Sequence, residues 1–131
     1  MKRKKGFTLL ELLIVVVIIG VLATFAIPQF LKATERARYG KAQNTISLIS
    51  QGVKMYYADT GDFTNNIAAI DPYVEINAQQ DADKDWNYSI NGSAASSYTV
   101  EASRNGGSYG GNDVTLTQDN VWGGQFINQL K

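Results

Sequence analysis

From Phe7 to Ile27 the chain runs for 21 residues with a single charge, Glu11. As a helix rising about 1.5 Å per residue this run covers roughly 32 Å, enough for a hydrocarbon core of about 30 Å. Past Pro28 the charges return, while Tyr39, Ala42, Ile46, Ile49, Val53 and Tyr56 recur every three or four residues. That period marks one apolar face of a helix, which needs a partner to cover it. The pattern predicts one helix from Phe7 to about Ala58, with a kink at Pro28, whose missing N–H and ring disturb the turn above Thr24.

From Asp59 the pattern changes to turn residues, then to an irregular or helix-like stretch through Ile67, Ile70 and Tyr73 that Asp71-Pro72 is expected to break. Three alternating runs follow: Trp86, Tyr88 and Ile90; Tyr98, Val100 and Ala102; Val114 and Leu116. Period-two alternation predicts strands with one apolar face, and Asn91-Gly92 and the glycine-rich 105–111 stretch read as their turns. The fold class is α+β: a long N-terminal helix packed against a small antiparallel β-sheet. Four segments result: a leader at 1–6, a membrane-spanning or filament-core helix at 7–28, its amphipathic continuation at 29–58 and a sheet domain at 59–131.

Charge sharpens this division. Met1 to Lys54 holds nine Lys or Arg against Glu11 and Glu35, whereas the remainder holds three basic and ten acidic residues. Lys2, Arg3, Lys4 and Lys5 abut the apolar run, so the positive-inside rule keeps the N-terminus cytoplasmic and sends the rest outward. The basic residues are read as a topology signal, and nucleic acid is not predicted as a partner. The chain has no His and no Cys, which removes thiol nucleophiles, disulfides and the side chain best suited to proton transfer near neutral pH. The apolar run is too long for an ordinary cleaved secretory signal and lacks a small-residue cut site at its far end.

Glu11 is costly in lipid, about 2.5–3.5 kcal/mol at the bilayer centre, and so calls for a partner. Together with the basic leader, Gly6-Phe7-Thr8-Leu9-Leu10-Glu11 resembles the type III signal sequence of type IV prepilins and type II secretion pseudopilins. The likeness continues through Gly20 and Ala26-Ile27-Pro28-Gln29-Phe30, over about the first 60 residues. It implies the pilin fold, cleavage after Gly6 by a membrane prepilin peptidase, N-methylation of Phe7, and polymerisation through the helix with other copies of the chain. It further implies an inner-membrane precursor served by assembly machinery, then an extracellular filament. Glu11, Gly20 and Pro28 match the family's assembly positions, and the stretch between the matching glycine and proline often loses helicity in the filament. A height difference of about 6 Å between residues four apart on one helix lets Glu11 meet the Phe7 α-amino group of an axially displaced neighbour.

Ala26 to Phe30 is the more pilin-like feature. Tyr57-Ala58-Asp59-Thr60-Gly61-Asp62-Phe63 also resembles pseudopilins, and the C-terminal cysteine pair common in Gram-negative pilins is absent. The alternatives are therefore a major pseudopilin, or a single-pass anchored binding module. Neither catalytic residues nor a required cofactor are expected. Asp81, Asp83 and Asp85 alternate as oxygen donors and could hold calcium, as loops of some major pseudopilins do. An EF-hand is excluded, because Trp86 stands where its glycine is needed and Gly92 where its glutamate is needed. No GxGxxG or Walker spacing occurs. Phe7, Phe30, Tyr39, Tyr56, Tyr57 and Phe63 resemble the aromatic set proposed to carry electrons in certain pilins, but ordinary packing accounts for them better.

Overall fold

The structure is a computed structural model that describes residues 4–93 and 97–129. The chain divides into two compact units, Met1–Glu35 and Arg36–Lys131.

Helix α1, Leu9–Thr60, begins in the first unit and ends in the second. It starts two residues later than the apolar run because Thr8 caps it: the Glu11 amide donates to Thr8 Oγ1 at 3.2 Å and the Leu12 amide to the Thr8 carbonyl at 3.3 Å. Helical geometry continues through Gly20 and Pro28. Thr24 and Thr34 donate their hydroxyls to the carbonyls four residues back, at 2.9 Å each, which satisfies both hydroxyl protons within the helix.

In the second unit, Ala42, Ile46, Ile49 and Val53 of α1 are fully buried. They lie against a sheet of order β1-β2-β3-β4, formed by Trp86–Ser93, Ser97–Arg104, Asp113–Thr117 and Trp122–Gly123, each antiparallel to the next. The register aligns Tyr88 with Ala102 and Val114, and Ile90 with Val100 and Leu116. Large and small side chains thus alternate across the buried face, and the three predicted strands form with the predicted residues inward. Each fully buried Ile or Val contributes about 1.5–3 kcal/mol.

Several local expectations are corrected. Asn91 and Gly92 lie inside β1, opposite Thr99 and Tyr98, and are not the turn. Gly92 takes φ 144°, and a Cβ there would collide with the Ser97 carbonyl oxygen; a close backbone approach, and not a hairpin, needs this glycine. Helix α2, Ile67–Val74, runs through Pro72. Proline forfeits one helical hydrogen bond there, yet the helix is held by tertiary packing that includes Ile70, fully buried, and it ends at Glu75 in the left-handed region, φ 48°.

Short α3, Asn77–Ala82, starts with the Asn77 amide on Asp71 Oδ1 at 2.8 Å. Strand β4 and α4, Phe126–Gln129, were not legible as elements. Phe126 nonetheless closes one end of the core, with ring centroids 5.0 Å from Trp86, 5.4 Å from Tyr109 and 5.8 Å from Tyr39.

Helices α1 and α2 meet at Gly52, where a Cβ would lie 2.8 Å from Val74 Cγ2 and 3.2 Å from Ile70 Cβ. Gly52→Val is expected to lower stability by roughly 2 kcal/mol, since added methyls force α2 outward. Thermal unfolding followed by circular dichroism checks this. An unchanged midpoint would show that α2 is free to move.

Candidate functional site

In the first unit α1 presents apolar side chains on every side. Leu9 through Leu31 includes none that is buried, with Leu13 and Ile18 still more than half exposed. A helix with no polar face is stable only in lipid or among other helices, and α1 is long and apolar enough to cross a membrane.

At its start, the Thr8 amide donates to Glu11 Oε2 at 2.8 Å while the Glu11 amide donates to Thr8 Oγ1 at 3.2 Å. This reciprocal pair is a capping box, satisfying two amide groups that a helix N-terminus otherwise leaves without partners. A carboxylate is also favoured there by the helix dipole. Gly6 and Phe7 stand outside the helix. Phe7, 86% exposed, lines one open depression with Glu11, Leu12, Ile14 and Val15. Of the basic N-terminal residues, Lys4 and Lys5 are exposed, and residues 1–3 lie outside the described residues. Reasoning from sequence treated Glu11 only as a charge in search of a partner. Thr8-x-x-Glu11 ahead of an apolar run is itself the signature of a capping box and could have identified Thr8.

The 81–85 segment lies in the second unit and is not a single loop: Asp81 and Ala82 end α3, and Asp83 to Asp85 connect it to β1. Asp83 is buried, with its side chain 1% exposed; Oδ2 accepts the Tyr88 hydroxyl at 2.7 Å, and Oδ1 accepts the Asp85 amide at 3.0 Å and lies 3.2 Å from Lys41 Nζ. Burial by itself pushes this carboxyl up, but the Tyr88 phenol, the Asp85 amide and the Lys41 ammonium together hold it below the usual carboxylate value. Tyr88 is driven above the ordinary phenol value, first by burial and then by the neighbouring carboxylates.

Asp85 Oδ1 sits 3.4 Å from both Arg38 Nε and Arg104 Nη1, and the buried Arg104 lies 5.8 Å over the Trp86 ring. Two of the three candidate calcium ligands therefore hold cations of this chain, tying α1 to the start of β1. The side chain of Asp81 lies outside the described residues. Among the described residues, no three His, Cys, Asp or Glu are grouped as a metal site. Lys41, Arg38 and Arg104 could not have been assigned to these carboxylates from local sequence, which places them far apart.

The aromatic residues divide between the units. Phe30 is exposed; Tyr57 stacks on Phe63 at 4.3 Å, Phe63 meets Tyr98 at 5.0 Å, and Tyr56 meets Tyr73 edge-on at 6.3 Å. These are packing contacts within the second unit.

Residues 1–27 match the family model of the prokaryotic N-terminal methylation motif. The chain is 34% identical over 107 residues to the type IV wide pilus major component PilA4 of Thermus thermophilus, covering 82% of this chain and 79% of that protein. It is 40% identical to the type IV major pilin protein PilA of Myxococcus xanthus over 50% of this chain and 31% of that protein. With the type II secretion system core protein G of Pseudomonas aeruginosa it shares 29% identity over 66% of this chain and 61% of that protein. The chain thus spans less than two thirds of the length of the Myxococcus and Pseudomonas relatives.

Proposed function

This chain belongs to the family of type IV pilins and secretion pseudopilins, and from that premise we propose that it is the structural subunit of a type IV pilus filament. The observation that carries the reading is the apolar first part of α1, exposed on all sides. It is suited to lipid before assembly and to neighbouring helices afterwards. The role is structural and assigns no reaction to the chain.

The precursor lies in the inner membrane with its basic leader in the cytoplasm and residues 36–131 outside. Prepilin peptidase cuts between Gly6 and Phe7, Phe7 is N-methylated, and assembly machinery moves the subunit into the filament. Glu11 then meets the Phe7 α-amino group of a neighbouring copy. At about 4 Å and an effective dielectric near 20 their attraction is about 4 kcal/mol, comparable with the cost of Glu11 in lipid. The pair therefore selects axial register, and apolar packing supplies most of the stability. Gly20 to Pro28, weakest in intrinsic helicity, is the stretch that unwinds on assembly.

N-terminal sequencing of the mature protein tests the reading: it is expected to begin at a methylated Phe7. An intact Met1, or a cut near Ala26, would refute it. Similarity to core protein G favours a second reading, a major pseudopilin. Deleting the gene separates the two, because loss of surface filaments with secretion intact marks a pilin and loss of protein secretion marks a pseudopilin.

A further inference from the structure

Before assembly Glu11 already has a partner in its own chain. Its Oε2 accepts the Thr8 amide at 2.8 Å, and its own amide is held by Thr8 Oγ1 at 3.2 Å. Among the described residues Oε1 takes no hydrogen bond. A carboxylate has acceptor capacity on both oxygens, so the one group can cap its own helix through Oε2 and still receive an ammonium group at Oε1.

We propose that Thr8 is the positioning residue for assembly: by closing the capping box it fixes the Glu11 side chain and aims the free oxygen at the incoming amine of the next copy. This rests on the reading that Glu11 pairs with the Phe7 α-amino group of a neighbour. Two physical consequences follow from the geometry. In lipid, the charge-assisted hydrogen bond from the Thr8 amide offsets part of the cost of a lone carboxylate. On docking, Glu11 has little rotamer freedom left to lose, so pairing is favoured over that of an unrestrained side chain. The hydroxyl of Thr8 is central because it holds the Glu11 backbone in the first turn, which brings the carboxylate back over the Thr8 amide. Cleavage after Gly6 leaves this arrangement whole, since Thr8 keeps its amide when Phe7 becomes the first residue.

The test is made in a strain in which this chain is the only major subunit, with sheared filament yield normalised to processed subunit. Thr8→Val preserves shape and removes the hydroxyl; it is expected to lower the yield roughly fivefold, the factor that corresponds to loss of one N-cap. Thr8→Ser is expected to restore near wild-type yield. In the Glu11→Ala background, Thr8→Val is expected to change nothing further, because its effect passes through Glu11. Normal yield with Thr8→Val, failure of Thr8→Ser to rescue, or an equal added loss in the Glu11→Ala background would each overturn the inference. If wild-type protein is itself neither cut at Gly6 nor assembled, the underlying reading falls; if wild type assembles and Thr8→Val matches it, the positioning role alone falls.

Discussion

Replacing Trp86 with Ala is expected to lower the free energy of unfolding by about 3–5 kcal/mol, the range for deleting a large buried aromatic. Trp86 is fully buried, and its indole N–H donates to the Arg38 carbonyl of α1 at 3.1 Å. Its ring meets Phe126 edge-on at 5.0 Å and lies under the Arg104 guanidinium at 5.8 Å. One side chain therefore joins α1, β1 and α4. The cavity left by Ala would remove the packing of Phe126 and the cover over a buried cation. Trp86→Phe keeps a ring and loses the N–H, so it should cost only about 1–2 kcal/mol. Thermal unfolding of the full chain in detergent, followed by circular dichroism, checks both. Equal midpoints for Trp86→Ala and wild type would show that the helix and sheet are not held together at this point.

Asp83→Ala is expected to cost about 2–3 kcal/mol at neutral pH. The Lys41 side chain is half exposed and returns to water at little cost, so the salt bridge by itself is the smaller part. The larger part is the Tyr88 hydroxyl, buried at 5% exposure and bonded to the Asp83 carboxylate; hydrogen bonds to charged groups contribute about 1.5–3 kcal/mol.

The pH dependence separates these effects from simple packing. The folded carboxyl lies below its usual value, so its contribution is complete above the unfolded value near 3.9 and is lost as pH falls through the depressed folded value. The difference in midpoint between wild type and Asp83→Ala should therefore be constant above about pH 5 and shrink in acid. A difference that stays constant down to pH 2 would mean that the charge of Asp83 stabilises nothing. We propose that Asp83 and Asp85 form a latch between α1 and β1 that works without calcium. Millimolar calcium is accordingly expected to leave both midpoints in place, and a rise confined to wild type would identify a metal site instead.

The features legible in the sequence are those set by neighbours along the chain. An unbroken apolar run, a stripe at helical spacing and three alternating segments each encode their own geometry, because side-chain period follows directly from backbone conformation. Tyr39 to Tyr56 and Trp86 to Leu116 could thus be assigned to facing surfaces before any contact was known. Glu11 shows a local signal passed over: the capping box spans only three residues, but the cost of a charge in lipid drew attention to a distant partner.

Tertiary structure decided what depends on residues remote in sequence. Phe126 lies on a four-residue helix, too short for a periodic signature, and is defined by the aromatic hollow that Tyr39, Trp86 and Tyr109 provide. Pro72 stays within α2, where the packing of a helix that buries Ile70 overrides the local preference for a break. Asp83 and Asp85 look like open cation ligands in the sequence; folding brings Lys41, Arg38 and Arg104 to them. Local sequence specifies which groups are charged. The choice among partners belongs to the fold, because an ion pair depends on separations of a few ångströms that only packing sets.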